Sequence, residues 1–202
     1  MRKLLFLLTA FISYQCGWSQ KDQLIKLALS DISNFEVMSF FSQGEKMPKR
    51  FYVFDSTTYW PNNRFYMEGL KGNEAKWARD EHHPYNFRYL FKDSLLNTMF
   101  PDAEKKALSA KAAAQKQRRI QVRTPIASAI PSYRSIQSGF IVRATDPVYS
   151  SDSVYAFLNF SILEKRNKRH EMNEAYHSTV CVIYRKENRQ WKKWNLQKRV
   201  IL

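Results

Sequence analysis

The sequence predicts an α+β domain with an N-terminal helix and strands, a central basic helix and a C-terminal antiparallel sheet. Three observations carry this. Residues 102–119, DAEKKALSAKAAAQKQRR, are dense in the helix formers Ala and Lys. In residues 153–163, SVYAFLNFSIL, the apolar Val154, Ala156, Leu158, Phe160 and Ile162 recur at every second position, the period of a strand. Three strand-like runs then follow one another through short or charged links, as in an antiparallel meander.

In KDQLIKLALSDIS, residues 21–33, the apolar Leu24, Ile25, Ala28, Leu29 and Ile32 fall at helical spacing, which predicts a short helix packed on a sheet. FEVMSFF (35–41) and RFYVF (50–54) read as strands around a Gly-Pro loop. TTYWPNNRFYMEG (57–69) reads as two aromatic arms about a Pro-Asn-Asn turn. A helix is predicted over Ser94 to Met99.

In the basic helix, Asp102 stands where it caps the first turn, with Arg118 and Arg119 at the negative end of the dipole. Ala103, Ala107, Ala110 and Ala114 form a narrow stripe suited to close packing, and Lys105, Lys116 and Arg119 fall opposite. TPIASAIPSY (124–133), with two prolines and no period, reads as a crossing loop. SGFIVRA (138–144), YHSTVCVIYRK (176–186) and WKKWNLQKRVIL (191–202) complete the predicted sheet, with ENRQ as a turn.

The first residues predict export. Arg2 and Lys3 precede the apolar run LLFLLTAFI, and Gly17 and Ser19 are the small residues before a cut at Gln20. That is the layout of a signal peptide over residues 1–19, too short to span a bilayer, leaving residues 20–202 as a single domain that is secreted or periplasmic. No transmembrane segment is expected after cleavage. Gln15 and Ser13 stand where a lipid-attachment site before Cys16 wants a small residue and a leucine, which argues against a lipoprotein. Removal of Cys16 leaves Cys181 alone in an apolar run, so no intramolecular disulfide is expected.

The formal net charge is +15, or +13 once Arg2 and Lys3 are gone. An exported chain this basic is drawn to anionic surfaces, here an envelope lipid or glycan. Candidate contacts are Lys105, Lys116 and Arg119 on the helix, Lys165, Arg166, Lys168 and Arg169 between two strands, and Lys192 and Lys193 beside Trp191 and Trp194. Basic and aromatic residues also suit nucleic acid, but export argues against it. Tyr59, Trp60, Phe65 and Tyr66 around the tight turn are candidates for stacking on sugar rings, against hairpin packing as the plainer reading.

Catalytic signatures are missing. Five glycines, at 17, 44, 69, 72 and 139, cannot form a phosphate-cradling loop, and there is no G-x-S-x-G. HEMNE (170–174) has Glu where the HExxH motif needs its second His. In DEHHPY (80–85) the adjacent His82 and His83 would point apart on a strand, so the stretch reads as a polar loop; a metal site would need His170 and His177 to converge on it. His177 and Cys181 share a strand face but stand about 13 Å apart along it, too far for a nucleophile and its base. No cofactor, metal or catalytic residue is assigned. The leading reading is a non-catalytic binding or envelope-associated protein with an anionic partner. The alternatives are a hydrolase-like enzyme using His and carboxylate groups gathered by the fold, and a glycan-binding module.

Several C-terminal segments carry a resemblance. Ala144-Thr145-Asp146-Pro147-Val148-Tyr149-Ser150-Ser151-Asp152 with Tyr155-Ala156, then Val182-Ile183-Tyr184-Arg185-Lys186, Glu187-Asn188 and Trp191-Lys192, resemble the pattern of a broad set of uncharacterised secreted proteins from Bacteroidetes. The likeness covers residues 94–202, and a signal peptide ending Ser19-Gln20 is similar as well. It implies a C-terminal β-meander and export, and it brings no catalytic residue. EKRNKRHEMNEAYH replaces the Gly- and Cys-rich loop that many of those proteins carry between the first two strands of the meander.

Overall fold

The structure is a computed structural model, and it describes residues 20–40, 48–60, 65, 66, 73, 76, 90–92, 94–122, 124–165 and 176–200. In order these form helix α1 (20–30), a 3-10 helix (Ile32–Phe40), strand β1 (Phe51–Phe54), a 3-10 turn (Leu90–Lys92), α2 (Ser94–Met99), α3 (Asp102–Ala113), β2 (Ala127–Ile130), a 3-10 turn (Tyr133–Ser135), β3 (Gly139–Ala144), β4 (Val148–Tyr149), β5 (Tyr155–Lys165), β6 (Tyr176–Glu187) and β7 (Gln190–Val200). The α+β class and the mostly antiparallel sheet agree with the sequence reading. None of the helices is long and apolar enough to cross a membrane, among the described residues.

The strands form one sheet in the order β2-β1-β3-β5-β6-β7, with β4 also on β5. β1 runs parallel to both β2 and β3, and every later pairing is antiparallel. Both faces are covered. On one, Leu24, Leu29, Phe35 and Met38 of the N-terminal helices pack on Phe51, Val142, Phe160 and Val182. Phe35 anchors this layer, 4.7 Å from the Phe51 ring and 5.4 Å from that of Phe160. On the other, Trp60, Phe65, Leu96, Phe100, Leu108 and Ala112 cover Phe157, Cys181 and Ile183. β5 is therefore apolar on both sides through most of its length, rather than on the one face that its alternation predicts.

Four local expectations are corrected. Residues 35–40 of the predicted strand FEVMSFF are 3-10 helix, because Asp31 accepts hydrogen bonds from the N–H and hydroxyl of Ser33 and starts a helical turn there, and residue 41 lies outside the described residues. The buried Asn34 side chain then ties that turn to the Ala28 carbonyl of α1. Residues 127–130 of the predicted crossing loop are β2, paired with β1 from Phe51↔Ala127 to Phe54↔Ile130. α3 stops at Ala113 rather than Arg119, and Asp102 is its first helical residue, following Pro101, with no side-chain cap. The buried side of α3 is Lys105, Leu108 and Ala112, while Ala103, Ala110 and Ala114 are exposed, so the alanine stripe faces solvent. Methyl groups bury too little apolar surface to compete with Leu108 for the sheet.

Asn188 and Arg189 join β6 to β7 with φ values of 49° and 65°, the left-handed pair of a two-residue hairpin. Asn tolerates this region and Arg does so at a cost. Replacing Arg189 with Gly is expected to stabilise the protein by about 0.5 kcal/mol, read as a rise in the urea midpoint at constant slope.

Candidate functional site

The register of β3 and β4 on β5 contains one extra residue. Ala144 pairs with Phe160 and Val148 with Phe157, so Thr145, Asp146 and Pro147 stand opposite only Leu158 and Asn159. This is a β-bulge, where ladder groups turn away from the sheet and a side chain is re-aimed. The Thr145 N–H still reaches the Asn159 carbonyl at 2.9 Å, and the Thr145 hydroxyl accepts from the Asn159 N–H at 3.0 Å in place of a strand carbonyl. The carbonyls that leave the ladder find side-chain donors. Trp60 Nε1 donates to Asp146 O at 2.8 Å, Gln115 Nε2 to Pro147 O at 3.0 Å and Lys111 Nζ to Tyr149 O at 2.9 Å.

The bulge aims the Asp146 carboxylate at two cations. Arg118 Nε donates to Oδ1 at 2.8 Å, and Lys21 Nζ approaches Oδ2 at 3.3 Å. Arg118 Nη1 also donates to Asp22 at 2.7 Å. The Asp146 and Arg118 side chains are only 5% and 12% exposed, so each charge depends on the other for the solvation it has lost. Arg118 can reach this point because the chain leaves the helix at Ala114 and crosses the end of the sheet, where Thr57 bonds its backbone through both N–H and hydroxyl.

Around this pair lies an open cleft of about 800 Å³, lined by the end of α3, residues 114–118, the run from Asp146 to Ser151, and Ser153. Four cations, Lys21, Lys111, Lys116 and Arg118, face it against one lining carboxylate, Asp146. Three further acids stand just outside the lining, each held by protein donors: Asp22 by Arg118, Glu104 by the Ser151 N–H, and Asp152 by the Ser150 hydroxyl and the Val154 N–H. The Ser150 hydroxyl, then the Val154 N–H, holds the Asp152 carboxyl below its ordinary value. Two buried polar atoms of the lining residues, Tyr149 Oη and Gln115 Oε1, have no partner among the described residues. Burial, and next the Asp146 charge, raises the Tyr149 hydroxyl far above its ordinary value against the opposing pull of Arg118, so it stays a proton donor. The Tyr149 ring rests on Trp191 at 5.7 Å.

The sequence-derived candidates are scattered rather than gathered. Lys116 is exposed in the cleft, and Arg119 is exposed beside it, its backbone bridged to Ser56. Lys105 is not a surface cation: it is 4% exposed, its ammonium bonded to Asn97 and Asp102 and lying over the Phe91 ring. Lys165 is turned onto the carbonyls of Tyr133 and Ile136. Lys192 pairs with Glu187, and Lys193 with Asp31 and Ser33. Arg166, Lys168, Arg169, His82, His83, His170 and the whole of DEHHPY lie outside the described residues. No group of three His, Cys, Asp or Glu fit to hold a metal occurs among the described residues. The aromatic platform is corrected. Trp60 and Phe65 are 5% and 1% exposed, 4.8 Å apart in the core, because an indole and a phenyl bury more surface against Phe157 than a hairpin tip could. Tyr66 is half-buried, and Tyr59 remains exposed. The sequence offers no sign that Lys21, Lys111, Arg118 and Asp146 belong to one site: Arg118 reads there only as a helix-end charge, and only the resemblance runs through Asp146 and Pro147.

Replacing Asp146 with Ala leaves Arg118 short of a buried counter-charge and is expected to cost about 3 kcal/mol in urea unfolding. The Asp152 carboxyl titrates lower in the folded than in the unfolded chain. The stability it contributes is therefore present above the ordinary carboxylate value of 3.8 and is lost as pH falls through the lower folded value. In Ser150→Ala the Asp152 titration followed by NMR should move upward, and this part of the acid-induced loss should shrink. No protein-family model, curated protein or solved structure matches the chain.

Proposed function

We propose that this chain is an exported, non-catalytic binding protein that holds an anionic partner of the cell envelope, and that the cleft beside the bulge is the seat. The observation that carries this reading is the lining: four cationic side chains against one carboxylate that two of them already neutralise. Lys116 is exposed to a ligand there, and Lys111 adds its charge to the cleft while bonded to the Tyr149 carbonyl and the Ser151 hydroxyl. A compact oxyanion accepts from such donors, and charge assistance makes these bonds the strong ones. The N-terminal charged start, apolar run and small residues support export, and the surplus of 33 Lys and Arg over 18 Asp and Glu supports attraction to a polyanion.

The test is retention of the protein, without residues 1–19, on a heparin-like matrix and on anionic vesicles at low salt. Binding should weaken steadily as salt screens the charges. Lys111→Gln with Lys116→Gln should lower affinity roughly thirtyfold, since each cation contributes about 1 kcal/mol to a nearby charge in water. Indifference to both surfaces at low salt, or equal binding by the double variant, overturns the reading.

A further inference from the structure

A second cleft, of about 420 Å³, opens at the same end of the sheet. It lies where the parallel strands β1 and β2 both end, among Ser56, Thr57 and Thr58 after one and Ser132 and Tyr133 after the other. Arg143 of β3 joins it, its guanidinium 4.9 Å from the Phe54 ring. Five hydroxyl-bearing side chains and a guanidinium in one small cleft make an unusual lining, dense in donors and acceptors. Thr57 is committed to the Arg118 backbone and Ser132 to Ser135. The hydroxyls of Ser56 and Thr58 point to no side-chain partner among the described residues. Gln117, exposed on the segment that crosses the sheet end, lines this cleft and the cationic one alike.

We propose that the two clefts are subsites of one groove for an acidic oligosaccharide, seated across Gln117. Its carboxylate or sulfate group lies among Lys21, Lys111 and Lys116, and the hydroxyls of a neighbouring sugar lie among Ser56, Thr58 and Arg143. This rests on the anionic-partner reading above and adds the ligand's chemical class. Both clefts fall within the range of about 300–1,000 Å³ usual for small-molecule sites. A chain of alternating charge and hydroxyls matches one lining rich in ammonium groups and another rich in hydroxyls. A lipid headgroup held in a bilayer could be met by the cationic cleft alone and would leave the hydroxyl-rich cleft unused. Single-stranded nucleic acid would need open aromatic faces. The rings at hand are occupied: Tyr149 rests on Trp191, the Lys165 ammonium lies 4.5 Å over Tyr133, and Arg143 covers Phe54.

The experiment is calorimetric titration of the protein lacking residues 1–19 with heparin-derived di-, tetra- and hexasaccharides and with inorganic sulfate, at low salt. Affinity should rise from di- to tetrasaccharide and then level off. Arg143→Gln and, separately, Ser56→Ala with Thr58→Val should each weaken tetrasaccharide binding roughly tenfold and leave sulfate binding unchanged. Unaltered thermal unfolding shows that each variant is folded, and the half-exposed Ser56 and Thr58 keep the test open if Arg143 proves structural. Lys116→Gln should weaken both ligands. If sulfate binds but neither Arg143 nor Ser56/Thr58 matters to the tetrasaccharide, the shared groove is wrong and the anionic seat stands. Tighter binding to anionic vesicles or single-stranded DNA than to the tetrasaccharide at matched charge overturns the ligand class. Loss of response to every anion overturns the anionic reading itself.

Discussion

The buried contact between Arg118 and Asp146 is the constraint on which the rest of this molecule depends. Neither charge could sit where it does alone, because the ions lose most of their water there. Together they tie three distant parts of the chain to one point. Asp146 belongs to the break between β3 and β4, Arg118 to the stretch that crosses from α3 towards β2, and Lys21 and Asp22 to α1. The helix layers on opposite faces of the sheet are thereby linked at one end of it. The bulge makes this possible, since a regular strand would keep the carbonyls of residues 146 and 147 in the ladder and leave Trp60 and Gln115 without acceptors.

The same break explains where the molecule is open. A sheet with both faces covered offers ligands only its ends and edges, and three neighbouring parallel strands bring their carboxyl ends together at one of them. There the chain is occupied with turns rather than with core, and side chains reach outward. α3 and the segment just after it contribute along one flank: Glu104 and Lys111 of the helix and Gln115 beyond its end bond successive points of the run from Pro147 to Ser151. One wall of the cationic cleft is therefore held by a helix stripe and the other by a hairpin turn.

Much of the sheet was legible because its signals are local. β3, β5, β6 and β7 follow from apolar runs and period-two alternation, and α2 from its spacing. The N-terminal misreading has a clear cause. FEVMSFF has strand composition, but a single carboxylate, Asp31, starts a helical turn, and the Phe35 ring then packs tilted on Phe51 and edge-on to Phe160. The length of α3 was misjudged because Gln115 and Arg118 are good helix formers whose side chains have better partners on the bulge than helical continuation would allow. The site was hidden for a different reason. Lys21, Arg118 and Asp146 are separated by 125 and 28 positions, and no pattern within a sequence window brings them together. A count of basic residues chose Lys105, which is folded inward onto Asn97 and Asp102.

The arrangement of the first core layer has a consequence for the order in which the molecule assembles. Leu24, Leu29 and Phe35 close over Val180, Val182 and Tyr184, and Asp31 and Glu36 are held by Lys193 and Lys198. The earliest residues are thus completed by nearly the last. Such contacts close loops of about 160 residues, so they form only after much of the chain is already ordered. The β5–β7 meander, whose contacts are nearest in sequence, is the natural first platform, and the amphipathic N-terminal helix is its late lid. A chain so built cannot mature from its leading end. Until its final strands are free to pair, the apolar side of residues 20–40 remains without its seat.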